Sequence, residues 1–281
     1  MQPNKKIAFG VNLFSDSSRT DLAIESFLKL KNKFSDVLDL YNIQFTDESL
    51  KFRNHDQFKL LRCLTSSSKN YISGESKKTL PMTKDCFNEL AKLNYNHFIF
   101  TNDDIIVSDR YIDFILKTNY DCYPASRLAI TPIKSLKDIV VVDNHYQVAG
   151  FDTFCIKTDW WLQNGDKFPN YVLGHPCWDV HYATLCMKLG NSTLCNKWPP
   201  PTFHQIHDSE WKTTSCPETD YNYNTFWKPH KFDSDMWHNY LFHILLKRPG
   251  VNYCQPHENE MDLEKEYFDE TWFKSNYWSY Q

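Results

Sequence analysis

"HFIFTNDDIIVSD", residues 97–109, runs from a mostly apolar tetrapeptide into Asn102, Asp103 and Asp104 and back into Ile-Ile-Val. A short apolar run bounded by turn residues reads as a strand buried on both faces, the pattern of a parallel sheet covered by helices. Beyond the acids, Ser108 is a capping residue, and Tyr111, Ile112, Ile115 and Leu116 fall at helical spacing, so a helix is expected to leave the turn almost at once. Strand, acidic turn and helix together place two carboxylates at the C-terminal edge of a sheet, where open α/β proteins bind their ligands.

The flanking sequence repeats this alternation. "KKIAFGVNLF" (5–14) reads as a first strand, and the segment after it carries Ala23, Phe27, Leu30 and Phe34 on one helical face. "VLDLYNIQF" (37–45) alternates as a second strand and ends in the polar "TDES"; "LLRCLT" (60–65) predicts a third. "SSSKNYISGESKK" (66–78) is turn-prone and predicts a flexible surface loop able to act as a lid, and Thr83 is expected to cap a helix bearing Cys86, Phe87, Leu90, Ala91 and Leu93. "DIVVVDN" (138–144) and "GFDTFCIKTDWW" (150–161) read as further strands, and "WDVHYATLCMKLGN" (178–191) as a helix closed by Gly190 with Asp179 in its first turn. The expectation is an α/β fold, a mostly parallel central sheet flanked by helices. Residues 1–197 are expected to form the main, ligand-binding domain. Residues 198–281, rich in Pro, His and aromatics, form an appendage with helices near 234–247 and 258–275.

Composition removes several classes. The 31 Lys and Arg against 35 Asp and Glu leave a formal net charge of −4 with no basic block, which argues against nucleic acid as a main partner. No stretch reaches the ~20 apolar residues of a membrane span, and Met1–Lys6 offers no signal-peptide core, so a cytoplasmic protein is expected. Nine cysteines with no CxxC read as reduced core residues. Only 7 glycines are present, with neither GxxxxGK[ST] nor GxGxxG, which weighs against P-loop enzymes, kinases and dinucleotide dehydrogenases.

Two neighbouring acids at a loop apex are usually solvated. Held at a ligand-binding edge, however, they repel each other unless a cation compensates. Carboxylate oxygens suit Mg2+ or Mn2+, which also take phosphate oxygens from a substrate, so the pair points to a diphosphate ligand.

In this arrangement the chain resembles the GT-A-fold glycosyltransferases, whose Asp-x-Asp motif closes a central strand and holds a metal and a nucleotide-sugar diphosphate. The resemblance covers about residues 5–212. "TNDD" matches with Asn102 in the first acid's place, which implies Asp104 as metal ligand and Asn102 and Asp103 as nucleotide or supporting contacts. "GFDTFCIKTDWW" resembles the segment lining donor sugar and acceptor, bringing Asp152 into the donor site. "GHPCWDVHYATLCMKLGN" (174–191) resembles the motif opening the acceptor-side helix, with Asp179 where inverting members keep their base, although Trp178 stands where an acid pair is usual. A carboxylate there can take the acceptor hydroxyl's proton. "FHQIHDSEW" (203–211) resembles the His segment that returns to the metal. His204 and His207 share a face on a helix but not on a strand, and His207 is favoured because Asp208 can orient its ring.

The resemblance further implies base contact by Asp47 and nucleotide contact in "NLFSD" (12–16) through Asn12. Arg127 and Lys157 are candidates for phosphate charge, and Trp160, Trp161, Trp178 and Trp211 for sugar faces. The implied activity is metal-dependent transfer of a sugar from a nucleoside-diphosphate donor to a hydroxyl on a glycan, lipid-linked sugar or protein. A sugar nucleotidyltransferase would want a Gly-rich N-terminal loop, and "FGVNLFSDSSRT" has only Gly10. A catalytically silent carbohydrate-binding protein is the competing class, consistent with Asn102.

Overall fold

The computed structural model describes residues 5–14, 16–72, 78–139, 150–195, 201–207 and 216–227. In chain order these form β1 (Ile7–Val11), α1 (Ser18–Lys33), β2 (Leu38–Phe45), β3 (Lys59–Leu64), α2 (Ser68–Tyr71), α3 (Thr83–Ala91), β4 (His97–Thr101), β5 (Ile105–Val107), α4 (Asp109–Lys117), β6 (Cys122–Ala125) and β7 (Arg127–Ile130). After them come β8 (Thr153–Lys157), α5 (Thr158–Asn164), α6 (Trp178–Leu189), β9 (Thr202–Gln205) and α7 (Pro217–Trp227).

Six strands make the main sheet in the order β3-β2-β1-β4-β8-β6. The first four are parallel; β8 is antiparallel to both its neighbours, so five of the six strands share one direction. The sheet is mostly parallel, as expected. Along β4 the faces alternate: Phe98 and Phe100 pack in one core with α3, α5 and α6, whereas Ile99 packs in the other with α1 and α4. Burial on both faces is why the run lacks polar alternation. Phe87 of α3 is fully buried against Phe98, Phe100, Phe154, Trp161 and Tyr182, the centre of the first core. Gly10 lets α3 come this close to the sheet, because a Cβ there would lie 2.6 Å from both δ-carbons of Leu90.

Local chemistry explains the helix boundaries. Ser17 caps α1, its side chain accepting from Thr20 N–H at 3.2 Å. Thr83 is not the cap of α3: Met82 holds that place, and the Thr83 hydroxyl instead donates to Tyr171 O at 3.1 Å. The expected lid begins with a helical turn, α2, whose Ser68 is fully buried and donates to Lys78 O at 2.7 Å, tying the two ends of the loop together. Of the nine cysteines, Cys86, Cys122, Cys155, Cys177, Cys186 and Cys195 are buried free thiols.

One departure matters most. Ile105–Val107 is not a lead-in to a helix but β5, in a second sheet ordered β5-β9-β7. It pairs antiparallel with β9 (Ile105 opposite His204), and β9 runs parallel with β7 (Arg127 opposite Thr202). Strand β9 lies beyond the expected boundary at residue 197 yet completes this sheet. "DIVVVDN" falls mainly outside the described residues, as do both helices expected in 234–275; Leu136–Asp138 form a short 3-10 turn. Among the described residues no helix is long and apolar enough to cross a membrane.

Candidate active site

The small sheet brings together residues a hundred positions apart. Asp104 immediately precedes β5 and His204 sits opposite its first residue, so pairing sets acid and imidazole side by side. Asp104 Oδ2 lies 3.1 Å from His204 Nε2 and 3.4 Å from His207 Nε2, and the two nitrogens are 3.2 Å apart. All three side chains are largely shielded, with 20%, 13% and 24% of their surface exposed. His204 and His207 therefore both reach Asp104, where the sequence favours His207 alone; Asp208 lies outside the described residues.

Electrostatics favour an ionised Asp104 and a neutral His204, the states in which a carboxylate and an imidazole bind a metal. Burial pushes the Asp104 carboxyl upward, but hydrogen bonds from His204 and His207 outweigh it and hold the group well below the usual carboxylate range. Burial lowers His204, opposed by its hydrogen bond to Asp104 and reinforced by the nearby charge of Arg127. Divalent ions with six ligands at about 2.1 Å separate adjacent donors by about 3.0 Å, close to the three distances seen. Two imidazoles and one carboxylate suit a first-row transition-metal dication better than Mg2+, which prefers an all-oxygen shell. The residues present fit such a cation.

A second group adjoins it. Thr101 faces Thr153 across the β4–β8 pair, their hydroxyls 2.7 Å apart, and one step further the same register sets Asn102 against Asp152. Asn102 N–H donates to Asp152 O at 3.3 Å and its Nδ2 to Asp152 Oδ1 at 2.8 Å. The other carboxylate oxygen of Asp152 pairs with Arg127, at the start of β7. Burial pushes the Asp152 carboxyl up, Arg127 pulls it back, and the negative charges of Asp179 and Asp104 push it up again. Asn102 thus stands where an acid would add to that repulsion.

Asp179, in the first turn of α6, has one oxygen fixed: Oδ2 accepts from Phe151 N–H at 3.1 Å. Gly150 makes room for it. At φ 122° a Cβ on residue 150 would stand 2.7 Å from Asp179 Oδ2 and 3.6 Å from the Arg127 guanidinium carbon. Sequence reasoning missed Gly150; in a chain of 7 glycines, one just before an acid-bearing strand was the available signal.

The remaining candidates lie at the C-terminal ends of β1 and β2, on the same sheet edge. Asp103 Oδ2 accepts from Phe14 N–H at 3.3 Å, linking the acidic turn to the loop after β1, where Phe14 is 55% exposed. Asn12 is buried, its amide donating to Ile43 O at 2.6 Å. Asp47 is exposed and accepts from Ser49 N–H and hydroxyl at 2.9 and 2.7 Å, which lowers its carboxyl. Two weaker sets of candidates lie away from the acids or inside the core. Lys157 pairs opposite His97, at the other end of β4 from the acids, because β8 runs antiparallel. Trp160, Trp161 and Trp178 are buried in the core, where large apolar rings gain most, and offer no open sugar face; Trp211 is outside the described residues.

No family profile matches the chain, and no curated protein matches it by sequence. Among solved structures it is similar to S. aureus TarS residues 1–349 in complex with UDP-GlcNAc, at 12% identity and a TM-score of 0.51, over 86% of this chain and 71% of that one. It also aligns with the glycosyltransferase GlyE of Streptococcus pneumoniae TIGR4, at 12% identity and a TM-score of 0.39, over 89% of this chain and 66% of that one. The likeness to the TarS structure is one of fold.

Proposed function

We propose that this protein is a metal-dependent glycosyltransferase that moves a sugar from a nucleoside-diphosphate donor to a hydroxyl acceptor with inversion. The observation that carries the reading is the convergence of Asp104, His204 and His207 beside Asp152, Arg127 and Asp179, on the sheet edge where this fold takes its ligand. TarS was solved with UDP-GlcNAc, which makes uridine-diphosphate sugars the first donors to test.

Asp104, His204 and His207 would hold the cation. Mn2+ bound there supplies positive charge against the charge developing on the leaving diphosphate. Asp103 and the loop carrying Asn12 and Phe14 border the nucleotide, with Phe14 offering an exposed ring beside it and Asp47 standing at the end of the next strand. Arg127, oriented by Asp152, presents a guanidinium toward the donor phosphates or sugar. Asp179 is the base: the acceptor oxygen forms its bond to the anomeric carbon as the bond from that carbon to the diphosphate oxygen breaks. The electron pair leaves with the diphosphate and the hydroxyl proton passes to Asp179. The Phe151 N–H bond fixes this carboxylate, so one oxygen is oriented before substrate arrives. The acceptor would carry its hydroxyl on a glycan, a lipid-linked sugar or a protein.

The test is a panel of nucleotide sugars incubated with the protein and Mn2+ and scored for nucleoside diphosphate release. Release from one donor, lost on chelation, is expected; no release from any donor would remove the enzymatic reading. Anomeric configuration of the product by NMR then separates inversion from retention.

A further inference from the structure

A second group of metal-binding side chains lies away from the acidic turn. His175, in the loop before α6, meets Cys216 and Glu218 at the start of α7, with one donor atom from each within 4.8 Å of the others. The loop is held in place. Gly174 and Cys177 flank His175 and Pro176 with φ of 79° and 81°. Fully buried Asn222 of α7 donates to Val172 O and Pro176 O, both at 3.0 Å, and accepts from Val172 N–H at 2.8 Å. Thr219 Oγ1 lies 3.0 Å from His175 Nδ1 and 3.1 Å from Cys216 Sγ.

We infer that His175, Cys216 and Glu218 form a binding site for a zinc-class cation that ties the loop leading into α6 to α7. Thiolate, imidazole and carboxylate are the three donor types Zn2+ takes, and they favour it over Mg2+ or Ca2+. The spacing agrees: bonds of about 2.3 Å to sulfur and 2.0–2.1 Å to nitrogen at a tetrahedral angle put the two donors about 3.6 Å apart, and Cys216 Sγ stands 3.7 Å from His175 Nδ1. Glu218 is only 4% exposed, and a carboxylate buried against a thiol and an imidazole gains from a cation. Binding displaces the Cys216 thiol proton to solvent, and water takes the fourth place. Asp179 lies four residues beyond His175, so the ion would steady the start of the helix that carries it.

Cobalt distinguishes this site from the one at Asp104, which has no sulfur donor. The full chain is stripped with chelator and titrated with Co2+ while thiolate-to-cobalt charge-transfer absorption is recorded. One equivalent of this band is expected in the wild type and in Asp104→Ala, and its loss in Cys216→Ser, with circular dichroism confirming that variant folded. His175→Gln should weaken Co2+ affinity tenfold or more while retaining a thiolate band at higher metal. No thiolate band in the wild type, or a band that survives unchanged in Cys216→Ser, would overturn the assignment.

Discussion

The jobs proposed for two carboxylates at the candidate site are separable, because their surroundings differ. Asp104 faces two imidazoles, whereas Asp179 is held by a backbone N–H at the start of a helix. Asp179→Asn keeps the hydrogen-bond acceptor but loses the base, so turnover should fall by about 10²–10⁴-fold while the nucleotide dissociation constant stays within twofold, measured by initial rates and calorimetry. A comparable fall in nucleotide affinity would instead make Asp179 a binding residue. Gly150→Ala probes the same carboxylate from outside. The added methyl meets Asp179 Oδ2, so turnover should drop although no reacting group has been removed, and Mn2+-dependent nucleotide binding should persist. Asp104, His204 and His207, which the structure brings together, and Asp179 could be picked out in the sequence because their motifs resemble those of a known family. The Asn102–Asp152–Arg127 chain could not, since its meaning depends on β4–β8 register, which no local pattern encodes.

Strand β4 and helix α3 read correctly because both faces of the one, and one face of the other, are apolar at the right period. Strand β5 failed for a definable reason: three apolar residues between an acidic turn and a capping serine carry too little periodicity to be told from a helix lead-in, and the partner that makes them a strand is β9, a hundred residues away. Packing energies follow the same elements. Phe87 is the ring through which α3 meets β4, β8, α5 and α6, so Phe87→Ala should cost about 3–5 kcal/mol in urea unfolding. A loss below about 1 kcal/mol would mean the core around it is not packed as described.

Over the molecule as a whole, stability should depend on pH through His97, the first residue of the stretch that decides the fold. Burial, with the charges of Lys5 and Lys157, lowers its imidazole to about 4. The unfolded chain protonates it near the ordinary 6.5, so between those values unfolding takes up a proton, and stability falls as pH drops from about 6.5 to about 4. The shift corresponds to roughly 3 kcal/mol at the lower limit. Urea unfolding of wild type and His97→Phe at pH 7.5 and 4.5 measures it: the variant should lose less stability between the two pH values, and an equal loss in both would remove His97 as the cause.

If the two sheets converge on a metal-dependent nucleotide site, as proposed, occupying that site stabilises the whole fold. Ligands that bind only the folded state raise its melting temperature, so thermal unfolding with uridine diphosphate, with and without Mn2+, tests it directly in wild type and Asp104→Ala. Stabilisation by nucleotide and Mn2+ together should exceed either alone in the wild type and disappear in Asp104→Ala. Equal stabilisation without the metal, or in the variant, would contradict the proposed site.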